Sequence, residues 1–270
     1  MFKPFHVAAT GLNTFEQEFL DITNNLSNAQ TVGFKKGRTE KESLYYVEPS
    51  FKQVLAETEA KQQGLDSPPG TNVSFGSGVR IVATPRDFTQ GATEVTKNPL
   101  DIAVQGDGFI QMRMPDGSTA YTRAGNLKMD ADGNLVDASG HLLEPAITIP
   151  AGTTQINISS KGLVSVSINN SLNQREVGQI QLARFTNPAG LKTIGQNLYE
   201  STVASGDPQL GIAGEDGFGT ITQFALEGSN VDVISELARL IITQRVFDTI
   251  TKAVQTYEQM LTSLDRIRQG

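Results

Sequence analysis

The stretch TNNLSNAQTVGFKK, Thr23–Lys36, closes a helical pattern and then turns at Gly33. Working back from it, small or apolar residues recur at Phe5, Ala8, Leu12, Phe15, Phe19, Ile22, Leu26 and Ala29, at intervals that alternate three and four without a miss. That spacing is the seam of a coiled coil. A helix of this length spans about 36 Å. Gly11 costs it about 1 kcal/mol relative to Ala, and Asn24, Asn25 and Asn28 are poor helix formers, so packing must hold it. Gly33 is expected as the C-terminal stop, with Lys35 and Lys36 at the negative helix end.

Working forward, the next helical stripe of similar strength lies at the other end of the chain. Val233, Leu237, Leu240, Gln244, Phe247, Ile250, Val254, Tyr257, Leu261 and Leu264 keep three–four spacing with one short step at Phe247–Ile250. Ser229 and Asn230 are its candidate N-caps, and the unbroken helix would be about 50 Å long. Two such helices cover one another along a single stripe only. Val7, Leu20, Ile234, Ile241 and Ile242 lie off that stripe and would stay exposed on one copy. The pattern therefore favours burial between copies, and exposed stripes repeated from copy to copy build open helical filaments.

Between the helices the period is two. Val164, Val166 and Ile168 alternate with serines, Ile156 and Ile158 flank Asn157, and Ile180 and Leu182 flank Gln181. These are strands with one buried face. Asp-Gly pairs at Asp107–Gly108, Asp116–Gly117 and Asp132–Gly133 read as tight turns. The section from Val73 to about Thr220 is an antiparallel β-domain, and Glu40–Pro69, broken at SPPGT, reads as an extended arm. The fold class is α+β. The expected division is 1–33 with 229–270 as a helical core, 34–75 with 212–228 as linker and arm, and 76–211 as a β-rich outer domain.

The 270 residues carry a net charge of −7 with the basic residues scattered, which argues against nucleic acid as a partner. With no cysteine and two histidines, His6 and His141, a zinc site would need an unusual set of carboxylates. DADGNLVD, Asp130–Asp137, has its glycine in the wrong place for a calcium loop and reads as a β-turn. GDGF, Gly106–Phe109, lacks the ending of a phosphate loop and reads as a hairpin corner. No cofactor, metal, small-molecule substrate or catalytic group is expected. No run reaches the roughly 18 apolar residues of a membrane span. MFKPFHVAATGLN fails as a cleaved secretory signal, because its short apolar run is interrupted by His6.

TNNLSNAQTVGFKK is similar to the N-terminal signature of the axial proteins of the bacterial flagellum, which runs approximately Ala-Asn-Asn-Leu-Ala-Asn-x-x-Thr-x-Gly-Phe-Lys. SNVDVISELARLIITQRVFDTITKAVQTYEQML resembles the C-terminal helix of that family, with Gln244–Arg245 at its centre. FGSGVRIVATPRDFTQG, NPLDIAVQGDGF, YTRAGNL, EPAITIP, FTNPAGL and GEDGFGTITQFALEGSNV, in that order, resemble the family's distal-rod members. The resemblance implies a subunit of the rod within the periplasm that self-assembles into a rigid hollow tube, a coiled-coil-like core of terminal helices inside and β-domains outside. It also implies other rod and hook proteins, the P- and L-ring bushing and the flagellar type III export apparatus as partners, with export by that route and no signal cleavage. The residues it implicates in self-assembly are Phe5, Leu12, Phe15, Phe19, Ile22, Leu26, Asn24, Asn25, Asn28, Gly33 and Phe34, and Val233, Leu237, Leu240, Gln244, Arg245, Phe247, Val254 and Leu261. The alternatives are a proximal-rod or hook-type paralogue, or a cell-wall-binding β-domain on a helical stalk.

Overall fold

The computed structural model describes residues 3–47, 75–168 and 174–269. The chain divides into two compact units. The first comprises Met1–Thr23, Arg38–Thr84 and Leu237–Gly270, and the second Asn24–Gly37 and Pro85–Glu236.

Helix α1 runs from Lys3 to Ser27, and helix α2 from Val233 to Gln269. In the first unit they lie antiparallel. The rings of Phe5 and Tyr257 meet edge to face at 5.2 Å. A Cβ on Gly11 would sit 3.7 Å from Ile250 Cδ1, and Glu18 Oε1 is 3.5 Å from Arg239 Nη2. Beside α1 stand the short strands β1 (Glu40–Ser43) and β4 (Val79–Ala83), which pair with each other, and the chain between them contributes a second pair, β2 (Tyr46–Val47) on β3 (Phe75–Gly76). Lys41 fixes this ribbon to α1. Its ammonium lies 2.5 Å from Glu18 Oε2 and 4.5 Å from the centre of the Phe15 ring. Thr39 donates to Asp21 close by. The rest of the Glu40–Pro69 arm lies outside the described residues.

The second unit holds strands β5 (Thr93–Val95), β6 (Ile102–Gln105), β7 (Phe109–Arg113), β8 (Thr119–Thr122), β9 (Lys128–Met129), β10 (Leu135–Val136) and β11 (Leu142–Glu144). It continues with β12 (Thr153–Ile158), β13 (Leu163–Ile168), β14 (Gln174–Gln179), β15 (Gln181–Arg184), β16 (Lys192–Gly195), β17 (Leu198–Glu200), β18 (Gln209–Ile212), β19 (Thr220–Gln223) and β20 (Ala225–Glu227). The main sheet has the order β16-β17-β8-β7-β11-β10-β9, with β15 joining β7 to β18. A three-stranded sheet β12-β13-β14 and the pairs β6–β19 and β5–β20 complete it, and these pairings are antiparallel. The alternating valines and isoleucines meet as expected: Val164, Val166, Ile158, Ile180 and Leu182 join Ile102, Ile110, Met112 and Leu143 in one buried core. A second cluster is aromatic, with Phe88, Phe109, Tyr121, Phe185 and Tyr199 stacked edge to face.

Four local features differ from the sequence-based expectation. Asp116–Gly117 joins the paired β7 and β8, and Asp132–Gly133 the paired β9 and β10, but Asp107–Gly108 makes no hairpin. There β6 pairs with β19 while β7 pairs elsewhere, so GDGF is a corner between sheets. Asp232 caps α2 in place of Ser229 or Asn230: its carboxylate accepts from the Ile234 amide at 3.2 Å and from the Ser235 hydroxyl. Those bonds, the hydroxyl's first, hold the Asp232 carboxyl below its usual range. Helix α1 ends at Ser27, six residues before Gly33, and Lys35 is no helix-end cation but fully buried. Residues 220–227, expected in the linker, are β19 and β20.

Candidate assembly surface

The signature that follows α1 is built into the second unit residue by residue. Asn25 is buried, and its side chain reads both polar groups of one peptide residue: Nδ2 donates to Gly37 O at 3.0 Å, and Gly37 N donates to Oδ1 at 2.9 Å. Asn28 Nδ2 donates to the Asn24 carbonyl at 2.9 Å, which closes the helix end. Gly33 sits at φ +69°, its amide donating to Glu227 O at 2.8 Å, and a Cβ there would lie 2.5 Å from Ala124 N. Only glycine lets the two backbones approach so closely. Phe34 is buried next to it, under the Arg86 guanidinium.

Lys35 ends in a buried charge cluster. Its ammonium is 2.6 Å from Glu227 Oε1 and donates to Thr89 O at 2.7 Å. Glu227 Oε1 also accepts from the Gly91 amide at 3.0 Å, and Oε2 lies 3.6 Å from Arg123 Nη1. Burial pulls the Lys35 pKa below its ordinary value, with Glu227 working against that shift. Asn230 secures the other strand of the junction, accepting from Lys36 N and donating to Asp87 O and Thr89 O. Asn25, Gly33, Phe34 and Lys35 are thus engaged inside their own chain.

The helices of the first unit differ. Along the seam Ile22 is buried and Phe5, Leu12 and Phe15 are half-buried, while Phe19 is exposed; Leu26, on the turn that enters the second unit, is half-buried. On α2, Leu240, Val254 and Leu261 are half-buried, and Val233, Leu237, Gln244, Arg245 and Phe247 are exposed. Phe15, Glu16, Phe19, Thr243, Gln244 and Phe247 line an open cavity of about 390 Å³. The apolar residues read as lying off the stripe are exposed: Ile234 by 79%, Ile242 by 61%, Leu20 by 55%, Ile241 by 51% and Val7 by 37%. Met260 and Ile267, which the stripe did not single out, are exposed too. Isolated exposed apolar residues are ordinary; here three isoleucines, Ile234, Ile241 and Ile242, are exposed on one helix.

The candidates for chemistry resolve into turns. His141 Nδ1 lies 2.8 Å from Asp137 Oδ2, and Asp137 Oδ1 accepts from the Ser139 and His141 amides, so this pair shapes a loop. Asp130 Oδ1 accepts from Asp132 N and Gly133 N donates to Asp130 O, the β-turn expected of DADGNLVD. Among the described residues no group of three or more His, Asp or Glu could hold a metal ion, and no helix is long and apolar enough to cross a membrane. Sequence reasoning missed Glu227 and Arg123 and read Asn230 as a helix cap, because the partners of all three are remote in the chain.

Residues 103–166 match the family model described as flagellar hook protein FlgE/F/G D1 domain, and residues 222–267 match flagellar basal body rod FlgEFG protein C-terminal. The chain is similar to the flagellar basal-body rod protein FlgG of Borreliella burgdorferi, at 41% identity over 97% of both chains. It is 40% identical to that of Caulobacter vibrioides over 98% of this chain and 99% of the relative. Against that of Buchnera aphidicola subsp. Acyrthosiphon pisum it is 37% identical over 99% of this chain and all of the relative. With end-to-end likeness at this level, the chain belongs to the FlgG family of flagellar basal-body rod proteins, which are structural subunits and not enzymes.

Proposed function

We propose that the chain self-assembles into the distal rod, a rigid hollow helical tube that carries motor torque to the hook. The terminal helices, drawn from 1–33 and 229–270, form the coiled-coil-like axial core, and the β-rich region 76–211 lies outside. The observation that carries this reading is the row of exposed isoleucines on α2 together with Leu20 and Val7 on α1. Apolar area left in water is removed from it, at roughly 25 cal/mol per Å², when copies stack. Close-packed coaxial helices resist bending and twisting because protein interiors transmit strain. The Glu40–Pro69 arm acts as an added clamp between neighbours and keeps the shaft straight. The rod stands in the periplasm, reached through the type III export apparatus without signal cleavage, in contact with the ring bushing and the hook.

Concentration-dependent sedimentation tests the reading. Growth from monomer to long polymers is expected, and a fixed dimer at every concentration would defeat it. Deleting Glu48–Gln63 and imaging the assembled structure tests the clamp, which an unchanged straight rod would exclude.

A further inference from the structure

Gln244 and Arg245, at the centre of α2, face different ways. Gln244 lines the cavity with Phe15, Phe19 and Phe247. Arg245 is exposed, and its side chain forms no ion pair among the described residues. At 100° per residue it shares a face with Ile241, four positions back, and with Ile234. That face is the opposite side of α2 from Thr243 and Phe247, which line the cavity. On the cavity rim, Glu16 is the one acidic group, exposed and likewise without a side-chain partner among the described residues. The two other acids of α1 are engaged, Glu18 with Lys41 and Arg239, and Asp21 with Thr39.

One face of the helix pair is therefore an apolar socket with a free carboxylate at its edge. The other face is an apolar ridge with a free guanidinium one turn from Ile241. We propose that Ile241 of one copy enters the Phe15–Phe19–Phe247 socket of the next, with its Arg245 paired to Glu16 of the receiving copy. This rests on the shaft reading and names the contact that propagates it. Because Ile241 and Arg245 point roughly 120° and 160° away from Phe247 around α2, a copy that receives a neighbour still offers its own plug. The contact is heterologous and does not close on itself, as an open filament requires. The occupant is a second copy of this chain because the charges complement one another: an acid at the socket, a base at the plug.

The test is charge reversal in the full-length protein, read by sedimentation. Glu16→Arg alone and Arg245→Glu alone each place like charges at the contact, and each is expected to raise the polymerisation threshold about tenfold or more. An equimolar mixture of the two variants can restore opposite charges at every junction. The acidic plug of one variant meets the basic socket of the other, and the unaltered plug and socket meet at the next junction along. The mixture should therefore polymerise near the wild-type threshold. Far-ultraviolet circular dichroism of each variant as dilute monomer, matching that of wild-type monomer, excludes a general folding defect. As a second measurement, the chain has no cysteine, so Phe19→Cys combined with Ile241→Cys should give a ladder of covalent multimers on oxidation. Single variants that polymerise like wild type, or a mixture that polymerises no better than its components, would overturn the contact and leave the shaft reading standing. A crosslink confined to the monomer would also overturn it. A wild-type chain that never polymerises would overturn both.

Discussion

Gly33→Ala is the substitution whose cost follows most directly from the geometry. At φ +69° an alanine is strained by roughly 1–2 kcal/mol. The added methyl would meet Ala124 N at 2.5 Å, Ala124 Cα at 2.7 Å and Arg123 C at 2.9 Å. All three are backbone atoms of a loop tied to the sheet, so no side chain can swing away, and forcing the chains apart adds about 1–3 kcal/mol. The Gly33 amide bond to Glu227 O would lengthen with them. Gly140 is the matched control, at φ +91° with nothing within 4 Å of a Cβ, so Gly140→Ala carries the strain without the collision. Urea unfolding of both full-length variants, followed by circular dichroism, separates the two contributions. Gly33→Ala should cost about 3 kcal/mol and Gly140→Ala about 1 kcal/mol. Equal losses would refute the claim that the signature glycine is required by close backbone approach.

Glu227→Gln removes the anion of the buried cluster and leaves Lys35 and Arg123 facing each other. We expect a loss of about 3–5 kcal/mol in urea unfolding, larger than for Lys35→Met, which leaves Glu227 beside Arg123 and the Gly91 amide; the reverse order would contradict the arrangement. Burial pushes the Tyr199 phenol up to about 12 from 10.0, so the folded protein keeps a proton that the unfolded chain loses. The corresponding stability is fully present below pH 10 and falls by about 1.4 kcal/mol per pH unit as pH rises from 10 to 12, and Tyr199→Phe should flatten that fall in an alkaline unfolding series. Helices half covered by one partner cannot offset their ordering entropy, so circular dichroism of dilute monomer should report less helix than the 25 residues of α1 and 37 of α2, and full helicity before polymerisation would argue against coupled folding and assembly.

Local periodicity carried much of the fold. The unbroken three–four rhythm of α1 and the alternating valines of β13 depend only on neighbours a few residues away, and both elements are where the pattern put them. The exposed isoleucines were legible for a geometric reason: one partner helix covers one stripe, and Ile234, Ile241 and Ile242 lie off it. Long-range pairing was not legible. Lys35 looks like any cation after a helix, and its carboxylate partner lies 192 residues further on. Asp107–Gly108 has hairpin chemistry, yet β6 is claimed by the remote strand β19, and a dipeptide holds no trace of that competition. Asn230 has the chemistry of an N-cap but is drawn to the Asp87 and Thr89 carbonyls, leaving the cap to Asp232.

The central claim, that the two ends of the chain find their shelter in a tube of many copies, is tested most directly by a cryo-EM map of the assembled polymer. In that map α1 and α2 should line the lumen, with Leu20, Ile234, Ile241 and Ile242 buried between neighbouring subunits. A map in which those side chains face solvent, or in which the β-rich unit lines the lumen, would contradict it.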